Sequence, residues 1–265
     1  MLTAVKKHFS LIMKYFVFNL KCSLEYRTSF ILQVVGMVIN NSSFLFFWSV
    51  LFNNVNNIKG YTFSDIMVLW GLATSTYGFV YIFLGNVGDL SNLIVSGGLD
   101  SYLIQPRDVV INSCASRTQM SAWGDLLYGF ILFFISGSVT LKGLLLFTLF
   151  TITGGLIFFS TLLVANSLSL YLGSIESSKR MIEMFFVTFS TYPKGIFGKY
   201  LRMVFYSILP IGFVVYMPAE IVRNFDFIKM LIVFAATALY LLIAYGIFYR
   251  GLKRYESGNL MEGKI

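Results

Sequence analysis

Long apolar runs alternate with short polar breaks along this chain, and the lengths of the runs say what they are. Thr28 to Phe52 holds 25 residues without a charge, enough for one membrane span, which takes about 20 apolar residues. The polar stretch NNVNNIKGYTFSD then predicts an outer loop, and a second span runs from about Ile66 to Asn86. Gly88 to Gln119 is polar and is assigned to the inner side. A third span starts near Met120 and ends at the SGSVTLKG turn. From Gly143 to Ile175 there is no charged side chain, a length that suits one tilted fourth span rather than two. Gly154 and Gly155 leave a flat place in it for close helix packing. The cluster Glu176, Lys179, Arg180 and Glu183 marks the inner interface, and a fifth span climbs through MFFVTFSTY to Pro193. The last span is Ile228 to Tyr249.

Two regions fall outside this alternation. In residues 1–27, Phe9, Ile12, Met13, Phe16 and Leu20 recur at helical spacing, with Lys6, Lys7, Lys14 and Lys21 mostly elsewhere. That predicts an amphipathic helix lying in the inner interface; an exposed tail is the alternative. In residues 193–227 the apolar stretch Met203 to Met217 is broken by Pro210 and closed by Pro218. As a full crossing it gives seven spans and throws the C-terminus outside. As a re-entrant hairpin on the outer face it leaves six spans and both termini inside. Proline breaks the helix ladder, and irregular backbone at membrane depth is tolerated where other helices bury it, so the hairpin is favoured. It does place Lys194, Lys199 and Arg202 outside, against the positive-inside rule.

Composition makes lipid the solvent. The chain has 265 residues, 57% hydrophobic and 12% charged, with a mean hydropathy of +0.77, whereas a soluble domain is about 25% charged. The expectation is an all-α integral membrane protein, a single domain over 1–265, its length taken up by six spans. The net charge of +8 is placed to orient it. Lys6, Lys7, Lys14, Lys21 and Arg27 crowd the start, and Arg250, Lys253, Arg254 and Lys264 crowd the end, which puts both termini in the cytoplasm. These charges flank spans rather than forming a stripe, so nucleic acid is not an expected partner. Cys22 and Cys114 imply no disulfide framework. His8 stands alone, so no His/Cys metal site is expected, and no cleavable signal peptide is recognised.

The chemistry is sparse. There is no GxxxxGK[ST] phosphate loop, HExxH, CxxC or GxSxG, so no catalytic residue and no bound nucleotide are expected in this chain. Asp125 is the best candidate for a charge within a span, but near the start of span 3 it is expected to meet interfacial water and the positive helix end. So few buried charges argue against a proton- or sodium-coupled carrier. Candidate pathway groups are Asn40 and Asn41 in span 1, Thr74, Ser75, Thr76 and Tyr77 in span 2, and Thr188, Ser190 and Thr191 in span 5. Hydrogen bonding between helices is the competing role for each.

The inner segment GDLSNLIVSGGLDSYLIQPRD is the most structured loop. Gly97 and Gly98 permit a bend, Leu99, Tyr102, Leu103 and Ile104 follow on a short amphipathic stretch, and Pro106 stops it. Such a helix either plugs a groove on a partner or lies on lipid. The pattern G-G-L-D-x-Y-L-I-Q-P, including Asp100 and lying between spans 2 and 3, resembles the coupling helix of the type-2 ABC exporter permeases. Ser190 to Val222 is similar to that family's re-entrant region, through Tyr192-Pro193, Leu201-Arg202, Leu209-Pro210 and Tyr216 to Ala219 with Pro218. Arg117 to Leu126 (RTQMSAWGDL) fits the family's approach to span 3.

The resemblance implies a unit of two permease chains, identical or related, and two ATP-binding subunits that hold ATP and Mg. Leu99 to Pro106 would seat in the ATPase groove, and the N-terminal helix would be the family's elbow helix. The permeases would meet around spans 2 and 5 in a bacterial cytoplasmic membrane, moving a hydrophobic or amphipathic compound such as a peptide antibiotic, toxin or drug. A secondary transporter, a membrane-embedded enzyme and the membrane subunit of an ABC-type uptake system are the rival readings.

Overall fold

The computed structural model describes residues 2–137 and 139–256, so Lys264 lies outside the described residues, as do the side chains of Glu176 and Lys179. Four helices are long and apolar enough to cross a membrane. They are α2 (Arg27–Asn54), α3 (Phe63–Phe83), α8 (Leu141–Ser167) and α13 (Phe227–Leu252), with α8 running on into a short α9 (Ser169–Leu172). Preceding them is α1 (Leu2–Glu25). Between α3 and α8 come α4 (Leu90–Val95), α5 (Asp100–Leu103), α6 (Val109–Ala115) and α7 (Ala122–Ile135); between α9 and α13 come α10 (Glu176–Ser190), α11 (Lys199–Val204) and α12 (Met217–Arg223). The outer surfaces of α2 and α13 are those of helices in lipid: Leu32, Phe46, Ile228 and Leu242 all stand exposed, with no polar cover.

At the centre is α3, most of whose residues are buried. Its tightest partner is α7, and small residues make that possible. A Cβ on Gly129 would strike Ser75 and the carbonyl of Gly71, and one on Gly78 would strike the backbone of Ala122 and Leu126. Backbones this close are the packing mode of helices in lipid, where dispersion and hydrogen bonds replace the hydrophobic drive. The flat place at Gly154 and Gly155 on α8 is filled from α3 by Thr76 and Phe79.

The spans differ in detail from the sequence expectation. Helix α7 has only 14 residues, about 21 Å at 1.5 Å per residue, against about 30 Å of hydrocarbon. Non-helical residues precede it. Gln119 N donates to Tyr81 O (3.0 Å) and Thr118 Oγ1 to Ile82 O (2.8 Å), so the chain climbs beside the end of α3 and satisfies its last free carbonyls. Helix α10 begins eight residues before the apolar MFFVTFSTY run, so the charged cluster expected at the interface lies inside the helix. The stretch Met203 to Met217 is not one helix. After α11 the chain folds back, Gly212 N donating to Phe205 O at 2.8 Å, and a π-helical turn over Gly212–Tyr216 leads into α12.

The two ends of the bundle have different chemistry. At one end, Thr62 and Asp65 form a capping box on α3, Arg223 pairs with Asp65 at 2.7 Å, and Glu220 takes Lys194 and Lys229. Lys194, awkward by charge count, is thereby neutralised. At the other end, α6 is roped to its surroundings. Tyr15 of α1 donates to Asn112 Oδ1 (2.8 Å), and Tyr249 of α13 donates to Asp108, the α6 N-cap (2.8 Å).

Candidate functional site

Helices α2, α3, α7, α8 and α10 enclose a cavity of about 470 Å³, within the range of small-molecule sites. Asn40 and Asn41 line it from α2, Thr74, Thr76 and Tyr77 from α3, Thr188 and Ser190 from α10, and Thr191 from just past the end of α10. The polar side chains picked out in three separate spans thus line one space, apart from Ser75, which is buried against Gly129. Tyr192, the first residue of the Tyr-Pro pair, also lines it, and its ring packs on Trp48 of α2 at 5.7 Å. Phe44, Trp70, Phe158 and Phe186 form aromatic walls. Asn40, Phe44, Met184 and Thr188 are exposed, so the space opens between α2 and α10.

Asp125 corrects the sequence expectation. It does sit in the first turn of α7, but it is only 2% exposed and lines this cavity rather than meeting interfacial water. Oδ1 accepts a 2.8 Å bond from Asn41 Nδ2, and Oδ2 has no hydrogen-bond partner among the described residues. The close approach of α2 at Gly124, whose Cβ would strike Val34 O and Met37, is what seals the carboxylate off. Glu183 is a second carboxylate missed as a site residue. It accepts hydrogen bonds from Tyr77 (3.4 Å) and Tyr81, and it stands where the cavity adjoins a second one of about 450 Å³, lined by Tyr81, Asn86, Asp89, Arg117 and Gln119.

The inner segment is sharply bent. Gly97 has φ +77°, a left-handed value that favours glycine, and a Cβ on Gly98 would press on Leu93. Asp100 opens α5. Leu99, expected as an exposed knob, is fully buried in the core beside Leu90, Ile94 and Val110. The bend at Gly97 and Gly98 turns it inward, into the core cluster that also holds apolar residues of α4 and α6. Tyr102 is half-buried, its hydroxyl on Ser116 Oγ (3.1 Å). What projects is Leu103 (38% exposed) and Ile104 (85% exposed), followed by exposed Pro106.

The family model for ABC-2 family transporter proteins matches residues 38–259, a stretch that runs from the cavity-lining part of α2 past the end of α13. The chain belongs to the ABC-2 transporter family. Comparison with curated proteins and with solved structures gave no match. As an ABC-2 permease it is the membrane component of an ABC transporter and works with an ATP-binding subunit.

The remaining motif residues of the permease gather at the end of the bundle that carries Glu220. Pro193, Pro210, Tyr216 and Pro218 are buried, Leu201 is half-buried and Arg202 exposed. Tyr216 locks this region to α10, its hydroxyl donating to Phe189 O at 2.6 Å. Pro218 follows directly on the π-helical turn, at the start of α12. The expectation that span 2 meets a second permease finds little surface, since α3 is buried at the centre of its own bundle; α10 instead leaves Met181, Met184, Phe185 and Val187 exposed.

Proposed function

We propose that this ABC-2 permease exports a hydrophobic or amphipathic compound across a bacterial cytoplasmic membrane, driven by ATP that a separate subunit binds with Mg and hydrolyses. The observation that carries the reading is the cavity itself: an aromatic chamber with polar groups from three spans, opening toward a face that a second permease, identical or related, would cover. The working unit is two permeases and two ATPases. Leu103, Ile104 and Pro106 dock in the ATPase groove, while Leu99 and Tyr102 hold α5 in place from behind. In this reading α7 and α10 complete six crossings, both termini are cytoplasmic, α1 is the interfacial elbow, and residues 193–227 enter and leave the outer face.

Export follows if cargo enters by the smaller cavity beside Asn86 and Arg117, passes Tyr77, Tyr81 and Glu183, and leaves near Tyr192. The test is to co-purify the permease with the ATPase encoded beside it and follow ATP-dependent movement in vesicles of known orientation. Accumulation inside inverted vesicles is expected. Accumulation only in right-side-out vesicles makes the protein an uptake subunit, and uphill movement by this chain alone removes the ATPase from the scheme.

A further inference from the structure

The chamber is polar in an uneven way. Asp125 is almost wholly buried, with one oxygen held by Asn41 and the other without a partner among the described residues. Buried polar atoms in native proteins are nearly always satisfied, and an ionisable side chain at membrane depth is expensive, so it marks a function by default. An unpartnered carboxylate oxygen on a residue that lines this space indicates a ligand that completes it.

The sign of the charge narrows the ligand. Asp125 and Glu183 line the chamber as carboxylates, against Arg180 as the only basic side chain among its described lining residues. Arg180 stands three residues before Glu183 on α10, on one helix face, and both also line the second cavity. Asp125 lines the chamber and not the second cavity, and shares the chamber with Phe44, Trp70 and Tyr77. The rings of Phe44 and Trp70 lie 5.2 Å apart, and aromatic faces attract cations as well as apolar bodies.

We infer that the chamber is a binding site for an amphipathic organic cation, a protonated amine or an onium centre on an apolar or aromatic body, with Asp125 as its anionic anchor. The cationic centre sits against Asp125 Oδ2, the body lies between the aromatic walls, and Asn41 holds the carboxylate in position. As the cargo class of the exporter, the inference rests on the reading above; as a binding site it stands without the ATPase.

The test uses the full-length permease in lipid nanodiscs with radiolabelled tetraphenylphosphonium, and with tetraphenylborate as a probe of matched shape and opposite charge. Saturable binding of the cation above that of empty nanodiscs is expected, with none for the borate. Asp125→Asn, which keeps an acceptor for Asn41, should weaken cation binding by about 10- to 100-fold, as for loss of a desolvated charge partner, while Asp125→Glu retains more of it. A second readout needs no variant: tetraphenylphosphonium should slow modification of Asp125 by dicyclohexylcarbodiimide, followed by mass spectrometry of the wild-type protein. Equal binding by Asp125→Asn, equal binding of the borate, or carbodiimide labelling unaffected by the cation overturns the inference. Those outcomes leave the exporter reading intact, whereas failure to assemble with an ATPase sinks that reading and leaves the binding result standing.

Discussion

The hydroxyl of Tyr249, near the end of the last span, donates a 2.8 Å hydrogen bond to Asp108 Oδ2, and the other oxygen of the same carboxylate caps α6 by accepting from Ile111 N. One side chain therefore fixes both the start of α6 and its position against α13. Removing the cap with Asp108→Ala should cost about 1 kcal/mol from the cap alone and more with the tyrosine bond. Tyr249→Phe should lose about 1.5 to 3 kcal/mol at most, as for a hydrogen bond to a charged group. Thermal unfolding in detergent should rank the two, Asp108→Ala being the worse; an unchanged midpoint in both removes the tie.

The burial of Leu99 separates two kinds of mutation in the inner segment. Leu103→Asp and Ile104→Asp change exposed side chains and should abolish cargo-stimulated ATP hydrolysis of the assembled transporter while leaving the permease inserted and stable. Leu99→Arg should instead lower stability by several kcal/mol, because it buries an unpaired charge. Normal stimulated turnover in Leu103→Asp and Ile104→Asp removes α5 as the docking element.

Glu220 predicts a pH effect. Burial would raise its carboxyl, but hydrogen bonds from Lys194 and Lys229 outweigh that and hold it below the ordinary value of 4.5. A carboxylate depressed on folding adds stability above its unfolded pKa, and the gain is lost as pH falls through the folded value. Melting temperature should therefore drop on acidification below about 4.5 more steeply in the wild type than in Glu220→Gln, which should be less stable at neutral pH. Parallel curves count against the ion cluster.

Topology is open to thiol chemistry. Cys114 is buried, its thiol pushed up to about 12 by desolvation, and a protonated thiol is a poor nucleophile, whereas Cys22 is exposed. In a Cys22→Ser background, Lys199→Cys should react with a membrane-impermeant maleimide from outside only. Labelling from inside only means that residues 193–227 face the cytoplasm.

Much of this was legible in the sequence because charge-free runs measure spans directly. Thr28 to Phe52 and Ile228 to Tyr249 differ from α2 and α13 by one to three residues at each end. The run from Gly143 to Ile175 holds one candidate span, Leu141–Leu172. Polar residues in spans 1, 2 and 5 converge because each sits among apolar neighbours, which leaves little choice of inward face. Other features depend on partners far along the chain. Asp125 is buried because Asn41, 84 residues away, and the backbone of α2 close over it, and no local pattern encodes that. Leu99 and Ile104 look alike in a six-residue amphipathic stretch too short to define which face turns inward. The start of α10 was missed because its charges read as an interface, although Glu183 finds tyrosine partners within the bundle.

The glycine contacts that draw α3 and α7 together have a mechanical consequence. These two helices flank the inner segment on either side, and with Gly78 and Gly129 leaving no clearance neither can slide lengthwise past the other. A load applied beneath them cannot be absorbed as shear between the pair. In the proposed coupling such a load would tilt both as one stiff lever, and the wall of the chamber carrying Tyr77 and Asp125 would swing with it.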